Sequence, residues 1–224
     1  MNKYDYLIIG GGIAGVTAAE TIREKDSGAT IGIVSDEPYP LYSRVLLPNY
    51  IKGRIPREKV FLRKTDDFIK KNIDLRLQKK VLSVNPEKRE VDLNTGVTLG
   101  YEKLLIASGG RARDWEESIP KDYVYRLQTL DDADRIFQNL GNIKTPVIIG
   151  GGFISLEFAE IFSVNKNQST ILLKDNHFFE KILDEKGGDL LKRNMEKFQI
   201  KVISGDSISK AEKIDNKLNL LTQN

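Results

Sequence analysis

Hydrophobic residues near the N-terminus follow the pattern of a strand, a helix and a second strand. Residues 6–9 form a continuous apolar run that ends in three glycines, as a buried parallel strand does. Residues 13–23 then carry apolar side chains at helical spacing, and a second apolar run follows at 30–34. These elements fit within about 30 residues, the length of a βαβ unit. We therefore predict that the chain opens with such a unit.

The same pattern returns about 140 residues later, which makes it an internal repeat. Residues 146–149 predict a strand, three glycines follow, residues 153–163 predict a helix, and residues 170–173 predict a second strand. The chain is therefore expected to contain two βαβ units of the same kind.

Between the repeats, short alternating runs in residues 73–106 predict strands with a turn at 94–96, closed by a buried strand at 104–107. Residues 38–56 contain four prolines and are predicted to be an irregular loop. The fold class is therefore α/β, with two βαβ units, parallel sheets and an added antiparallel β-meander. The polar segment 111–124 is the candidate linker between them.

The amino-acid composition excludes several kinds of catalytic and metal-binding site. The chain has no cysteine, which excludes disulfides, thiolate metal sites and cysteine nucleophiles. Its one histidine, His177, cannot supply a multi-histidine zinc site, and a Ser-His-Asp triad is hard to build, so we predict no metal. A packing or surface role is favoured for His177. The 35 basic and 32 acidic residues are dispersed, which argues against a nucleic-acid partner.

The chain carries neither a leader-like N-terminus nor an apolar run of the roughly 20 residues that span a bilayer. We therefore expect no membrane association and a cytoplasmic location.

The first glycine loop matches the pattern G-x-G-x-x-G. Gly10 permits a tight turn, Gly12 lets the backbone approach a pyrophosphate, and Gly15 lets the helix pack closely on the strand. Asp36 and Glu37 follow the second strand, where a carboxylate holds a ribose hydroxyl. This combination predicts a dinucleotide site, and with the internal repeat it predicts two Rossmann-like βαβ dinucleotide-binding domains.

The second loop departs from that pattern at two positions. Gly150 and Gly152 are present, but Ser155 replaces the third glycine. Lys174, followed by Asp175, stands where the ribose acid would be. Lys174 could accommodate a 2′-phosphate, or it could be an ordinary surface residue, so the choice between NADPH and NADH stays open.

Four stretches carry a resemblance to the two-dinucleotide-binding flavoproteins of the pyridine nucleotide-disulfide oxidoreductase superfamily. They are residues 33–47, 105–111, 127–133 and 152–157. The match is with the branch without redox cysteines, which includes ferredoxin- and rubredoxin-type reductases and the flavin module of assimilatory nitrite reductases.

The resemblance implies FAD and NAD(P)H as cofactors, with a domain at 1–112 for FAD and an incomplete one at 113–224 for NAD(P)H. It implies that Arg44 lies near the flavin and that Val81 contacts the adenine region through its backbone. Glu157 would lie near the nicotinamide, although a solvated helix carboxylate is an equal alternative. The remaining cofactor-binding positions are Gly10, Gly12, Ala14, Gly15, Asp36 or Glu37, Ala107, Ser108 and Gly109 for FAD, and Gly150, Gly152, Ile154 and Lys174 for NAD(P)H.

Two positions and the length depart from the family. Asn49 stands where the family has a lysine near the flavin, and Gln128 replaces an arginine. Family members also continue with further FAD-binding and interface segments. We therefore expect a fragment of a longer reductase, a chain completed by a partner, or a degenerate protein.

The leading hypothesis is an FAD-dependent oxidoreductase that passes hydride from NAD(P)H to flavin and electrons on to an acceptor. That acceptor is expected to be a protein, and a homodimer is a further expectation. The alternative is a non-catalytic dinucleotide-binding or assembly module with degenerate sites. A plain NAD-dependent dehydrogenase is less favoured, because the sequence offers no general acid or base for its substrate.

Overall fold

The computed structural model describes residues 2–113, 119–215 and 217–224. The chain divides into two compact units. The first comprises Met1–Ser43 and Arg57–Arg111, and the second comprises Arg44–Pro56 and Ala112–Asn224. This division differs from the expected domains at 1–112 and 113–224, because the short segment Arg44–Pro56 packs with the second unit. The candidate linker at 111–124 lies partly outside the described residues, at 114–118.

The first unit is built on a six-stranded sheet in the order β3-β2-β1-β6-β5-β4. Strands β3, β2, β1 and β6 run parallel, and β6, β5 and β4 form an antiparallel meander. The predicted combination of parallel sheet and meander is confirmed. The elements are β1 Asn2–Ile9, α1 Ile13–Lys25, β2 Ile31–Val34, α3 Thr65–Lys70, β3 Ile73–Arg76, β4 Val81–Asn85, β5 Glu90–Leu93 and β6 Thr98–Ile106, where α3 is numbered after a short helix of the second unit.

Both faces of this sheet are covered by apolar side chains. Successive residues of a strand point to opposite faces, and Leu7 and Ile8 of β1 are both fully buried. Ile8 belongs to the cluster that includes Val16 of α1, and Leu7 packs with Leu99 and the meander strands. The continuous apolar run in β1 is therefore the mark of a strand buried on both sides.

The predicted strand at 104–107 forms, but the expectation that it is buried is wrong. Leu105 is 40% exposed and Ile106 is 63% exposed. Strand β1 pairs with β6 along almost its whole length, whereas β5 pairs only with residues 98–100. The carboxyl half of β6 thus has a neighbouring strand on one side only.

The second unit repeats the parallel arrangement in a three-stranded sheet, β7-β8-β9, and adds a hairpin of β10 and β11. Its largest fully buried side chains include Leu130, Ile136, Ile161 and Ile171. The elements are α2 Leu47–Ile51, α4 Leu130–Asn139, β7 Val147–Ile149, α5 Phe153–Val164, β8 Thr170–Leu172, α6 Glu185–Lys197, β9 Lys201–Ile203, β10 Ile208–Ile214 and β11 Lys217–Thr222.

Helix α2 lies in the segment 38–56 that was predicted to be irregular, so that prediction is wrong in part. A 3-10 turn at Arg44–Leu46 leads into the helix, and Pro48 stands in its first turn. Proline is tolerated there because a first-turn N–H has no partner within the helix. In the described part of the chain, no helix is both long and apolar enough to cross a membrane.

Candidate nucleotide-binding sites

The first glycine loop is the connection between β1 and α1. Gly10 has φ +119°, and a Cβ at this residue would lie 2.1 Å from the carbonyl oxygen of Ala107. A Cβ at Gly15 would lie 2.0 Å from the carbonyl oxygen of Gly10. Both contacts are far inside van der Waals distance, so these two positions require glycine on steric grounds.

Gly12 has a different role because it leaves space open. It is the N-cap residue of α1, and no side chain in the described part of the chain caps the helix there. Apart from the glycine itself and its near neighbours in the chain, no described atom lies within 4 Å of the position that a Cβ on Gly12 would take. The space beside the start of α1, near the exposed Ala14, is therefore open, and an anion there would be favoured by the first N–H groups of the helix.

The second glycine loop has the same build between β7 and α5. Gly150 has φ +101°, and Gly152 is the N-cap residue with no described atom within 4 Å of its Cβ position. Ser155 is buried, and its hydroxyl oxygen lies 3.6 Å from the Cβ position of Gly150. The replacement of the third glycine is therefore accommodated without a clash. Ile154 is 53% exposed in the first turn of α5.

The strand register makes the two loops directly comparable. Gly10 donates its N–H to Val34 at 2.8 Å, and Gly150 donates its N–H to Leu172 at 2.9 Å. Asp36 lies two residues after Val34 in the first unit, and Lys174 lies two residues after Leu172 in the second. Both side chains are exposed.

The two acids that follow β2 have different partners. Asp36 pairs with Arg111, which follows β6. Glu37 accepts a hydrogen bond from the hydroxyl of Tyr42 at 2.5 Å. The carboxylate of Glu37 thus anchors the following loop, whereas that of Asp36 is engaged by a guanidinium that is 72% exposed.

The remaining predicted positions of the first unit lie at the same carboxyl edge of the sheet. Ala107 donates its N–H to Ile9 at 2.8 Å, so residues 107–109, including Ser108 and Gly109, begin where β1 ends. Lys79 donates its N–H to the carbonyl oxygen of Ser35 at 2.8 Å, which brings the chain just before Val81 to the end of β2. The structure therefore gathers these positions around the first glycine loop.

Arg44 belongs to the second unit. Its guanidinium donates to the backbone carbonyl oxygen of Gln128, the residue that replaces a family arginine. Its expected position near a flavin stays a prediction.

Glu157 on α5 is part of a charged cluster that the sequence reasoning missed. The ammonium nitrogen of Lys52 lies 3.4 Å from a carboxylate oxygen of Glu157 and 2.5 Å from one of Glu160. The side chain of Lys52 is only 3% exposed. Arg54 also binds Glu160, at 2.7 Å. The hydrogen bond from Lys52 keeps the pKa of the Glu160 carboxyl below its usual value; burial opposes this, and Arg54 adds to it.

No signal in the sequence could have identified this cluster, because its two basic residues lie more than 100 positions from its two glutamates. His177, for which a packing or surface role was expected, packs against a helix of the second unit. It is half-buried, and a Cβ on Gly188 of α6 would lie 2.5 Å from its Cβ, so the side chain rests against the helix.

Comparison with known proteins places this geometry in a family. Residues 4–224 match the family described as pyridine nucleotide-disulphide oxidoreductase. A ferredoxin--NAD(+) reductase component of a dioxygenase from Photorhabdus laumondii is 34% identical over 71% of this chain and 41% of its own length. The NADH-rubredoxin oxidoreductase of Clostridium acetobutylicum is 29% identical over 92% of this chain and 54% of its own length.

Solved structures give the same result. A chain of the covalent putidaredoxin reductase-putidaredoxin complex superimposes with a TM-score of 0.88 at 26% identity, covering 99% of this chain and 55% of that one. The crystal structure of the clostridial NADH:rubredoxin oxidoreductase gives a TM-score of 0.81 at 28% identity, covering 91% and 53%. The chain thus spans roughly half the length of these relatives. Its sequence and its fold make it a member of the pyridine nucleotide-disulphide oxidoreductase family.

Proposed function

We propose that this chain binds FAD at its first glycine loop and NAD(P)H at its second, and that it forms all or part of an NAD(P)H-dependent flavoprotein oxidoreductase. The observation that carries the proposal is the presence of two loops in which a bare helix N-terminus faces open space at Gly12 and Gly152. One such loop serves one dinucleotide.

The residues of the first loop fit a dinucleotide pyrophosphate. The atoms that crowd the Cβ positions of Gly10 and Gly15 hold the turn tight, while the space beside Gly12 is free of described atoms. The N–H groups around Gly12 and Ala14 would hold the pyrophosphate, as the helix dipole favours. Asp36 or Glu37 would hold the adenosine ribose, and Val81, Ala107, Ser108 and Gly109 would border the cofactor.

In the second loop, Gly150, Gly152 and Ile154 would cradle NAD(P)H, and Lys174 would lie beside its adenosine ribose. Arg44 is proposed to lie near the flavin and Glu157 near the nicotinamide. The ammonium group of Lys52 would then fix the direction of the Glu157 carboxylate. Bound FAD would supply the redox chemistry by accepting hydride from the nicotinamide and releasing electrons to an acceptor.

The proposed reaction requires few chemical roles of the side chains. The chain's own groups bind and orient the two nucleotides, and none has to act as a nucleophile or as a general acid. The absence of cysteine and the single histidine are therefore compatible with the proposed reaction. The relatives named as reductases of ferredoxin and rubredoxin support a small electron-transfer protein as the acceptor. The cytoplasmic location and the homodimer stay predictions.

The test is the visible spectrum of the purified chain after incubation with excess FAD and removal of unbound flavin by gel filtration. We expect retained absorption near ~450 nm that bleaches anaerobically on addition of NADPH or NADH. Retained flavin that neither nucleotide bleaches would favour the alternative, a non-catalytic dinucleotide-binding module. A colourless protein would contradict FAD binding by the chain on its own.

A further inference from the structure

We propose that the second glycine loop selects NADPH over NADH, because Lys174 contacts the 2′-phosphate of the adenosine ribose. This inference rests on the proposed function, in which that loop binds the nicotinamide nucleotide. It goes further by assigning the chemical class of the donor and the residue that recognises it.

The first step is the position of Lys174 in the fold. Strand β7 ends at Ile149, which pairs with Leu172 of β8, just as Ile9 of β1 pairs with Val34 of β2. Two residues beyond Leu172 stands Lys174, and two residues beyond Val34 stands Asp36. The two side chains therefore occupy the same place relative to their glycine loops.

The next step is the direction in which a side chain points from that place. In the first sheet β1 lies between β2 and β6. Asp36 follows β2 and Arg111 follows β6, yet the two form an ion pair. The ion pair therefore lies at the carboxyl edge of the sheet, beside the end of β1 where the first glycine loop starts. This contact places the carboxylate of Asp36 near its glycine loop, and we infer the same place for Lys174 in the second unit.

The neighbouring acid does not share that direction. Asp175 corresponds in register to Glu37, whose carboxylate turns to Tyr42 in the following loop. Asp175 is therefore expected to turn toward the segment that follows it, as Glu37 does, and not to replace the acid that Lys174 displaces.

The charge at this position decides which nucleotide is favoured. A carboxylate accepts hydrogen bonds from a free 2′-hydroxyl but repels a 2′-phosphate, which carries roughly −1.5 to −2 charges at neutral pH. An ammonium group does the reverse, because it donates to the phosphate and gains little from a hydroxyl. Lys174 is exposed and can reach such a group. The second loop is consequently built for the phosphorylated nucleotide.

The test is isothermal calorimetry of the full chain in excess FAD, titrated with NADP⁺ and with NAD⁺. The oxidised nucleotides avoid flavin reduction, so the readout is affinity alone. We expect NADP⁺ to bind at least about tenfold more tightly than NAD⁺, the size of one charge-assisted hydrogen bond. Lys174→Met should remove that advantage by weakening NADP⁺ about tenfold more than NAD⁺, and Lys174→Asp should reverse the preference.

Lys166→Met is the matched control. Lys166 is also an exposed lysine of the second unit, but it follows the carboxyl end of α5, at the opposite end of that helix from Gly152. It should leave both affinities unchanged. Equal binding of the two nucleotides by the unmodified chain, or an equal loss of both in Lys174→Met, would overturn the inference while leaving the proposed function intact. Binding of neither nucleotide would overturn the proposed function at the second loop, and the inference with it.

Discussion

The ammonium nitrogen of Lys52 lies 2.5 Å from a carboxylate oxygen of Glu160, although 108 positions separate the two residues in the chain. Lys52 is almost fully buried, whereas Glu160 is 44% exposed. The desolvation cost of the ion pair therefore falls mainly on Lys52, because only the lysine has lost most of its water. With Tyr50, which binds Asp134 at 2.8 Å and stacks on Phe137, this contact holds the segment Arg44–Pro56 within the second unit.

Removal of the acid should therefore cost more than removal of the base. We expect Glu160→Gln to destabilise the fold by about 2–3 kcal/mol, somewhat less than a fully broken buried pair because Glu157 remains nearby. Lys52→Met should cost about 1 kcal/mol or less, since its carboxylate partners stay hydrated and the apolar stem is retained. Urea unfolding followed by circular dichroism measures both.

Arg54→Gln is the control for this pair, because Arg54 is half exposed and binds the same carboxylate. It should change the free energy of unfolding by no more than about 1 kcal/mol. A larger loss in Lys52→Met than in Glu160→Gln would contradict the assignment of the cost to the buried lysine.

The two glycine loops should respond differently when the residue at the third position of the pattern is changed to alanine. Gly15→Ala would force a Cβ to within 2.0 Å of the carbonyl oxygen of Gly10, so we expect a loss of at least about 2 kcal/mol of stability. The second loop already carries a side chain there, so Ser155→Ala should cost about 1 kcal/mol or less. Thermal unfolding of the two variants compares them, and equal losses would show that the loops do not differ in this way.

Glu20 should make the first unit sensitive to acid. Hydrogen bonds from Arg63 lower the pKa of this carboxyl from 4.5 to about 2; burial opposes the shift, and Lys71 adds to it. Because the folded-state pKa is depressed, the stabilisation is fully present above about pH 4.5 and is lost as the pH falls toward about 2. Glu20→Gln should be less stable than the unmodified chain at pH 7.

The same prediction is tested by how the stability difference between the two proteins changes with pH. The difference in unfolding free energy between the unmodified chain and Glu20→Gln should shrink across the same acidic window. A difference that stays constant down to pH 2 would mean that the ion pair with Arg63 and Lys71 does not hold the proton off Glu20.

The parts of the fold that the sequence predicts are those that depend on residues close together in the chain. Both glycine loops, the strands that precede them and the helices that follow are set by residues within about 30 positions, the reach of one βαβ unit. The third glycine and its replacement by Ser155 are readable for the same reason, since each closes on the first glycine of its own loop.

The parts that escaped prediction depend on partners distant in the chain. The ion pairs of Lys52 with Glu160 and of Asp36 with Arg111 join residues that have no shared local pattern. The exposure of Ile106 likewise depends on how far β5 runs beside β6, which the apolar run itself does not encode. Tertiary pairing decides these features, and local hydrophobicity does not.

The central claim, that each loop binds its own dinucleotide, is tested by adding a carboxylate at one N-cap at a time. Aspartate is a favoured N-cap residue, and space is open at Gly12 and Gly152, so Gly12→Asp and Gly152→Asp should fold while repelling a pyrophosphate. Gly12→Asn and Gly152→Asn are the neutral controls. We predict that Gly12→Asp loses FAD but keeps its affinity for NADP⁺, and that Gly152→Asp retains FAD that NADPH no longer bleaches. Retention of FAD by Gly12→Asp, or undiminished bleaching in Gly152→Asp, would contradict the account.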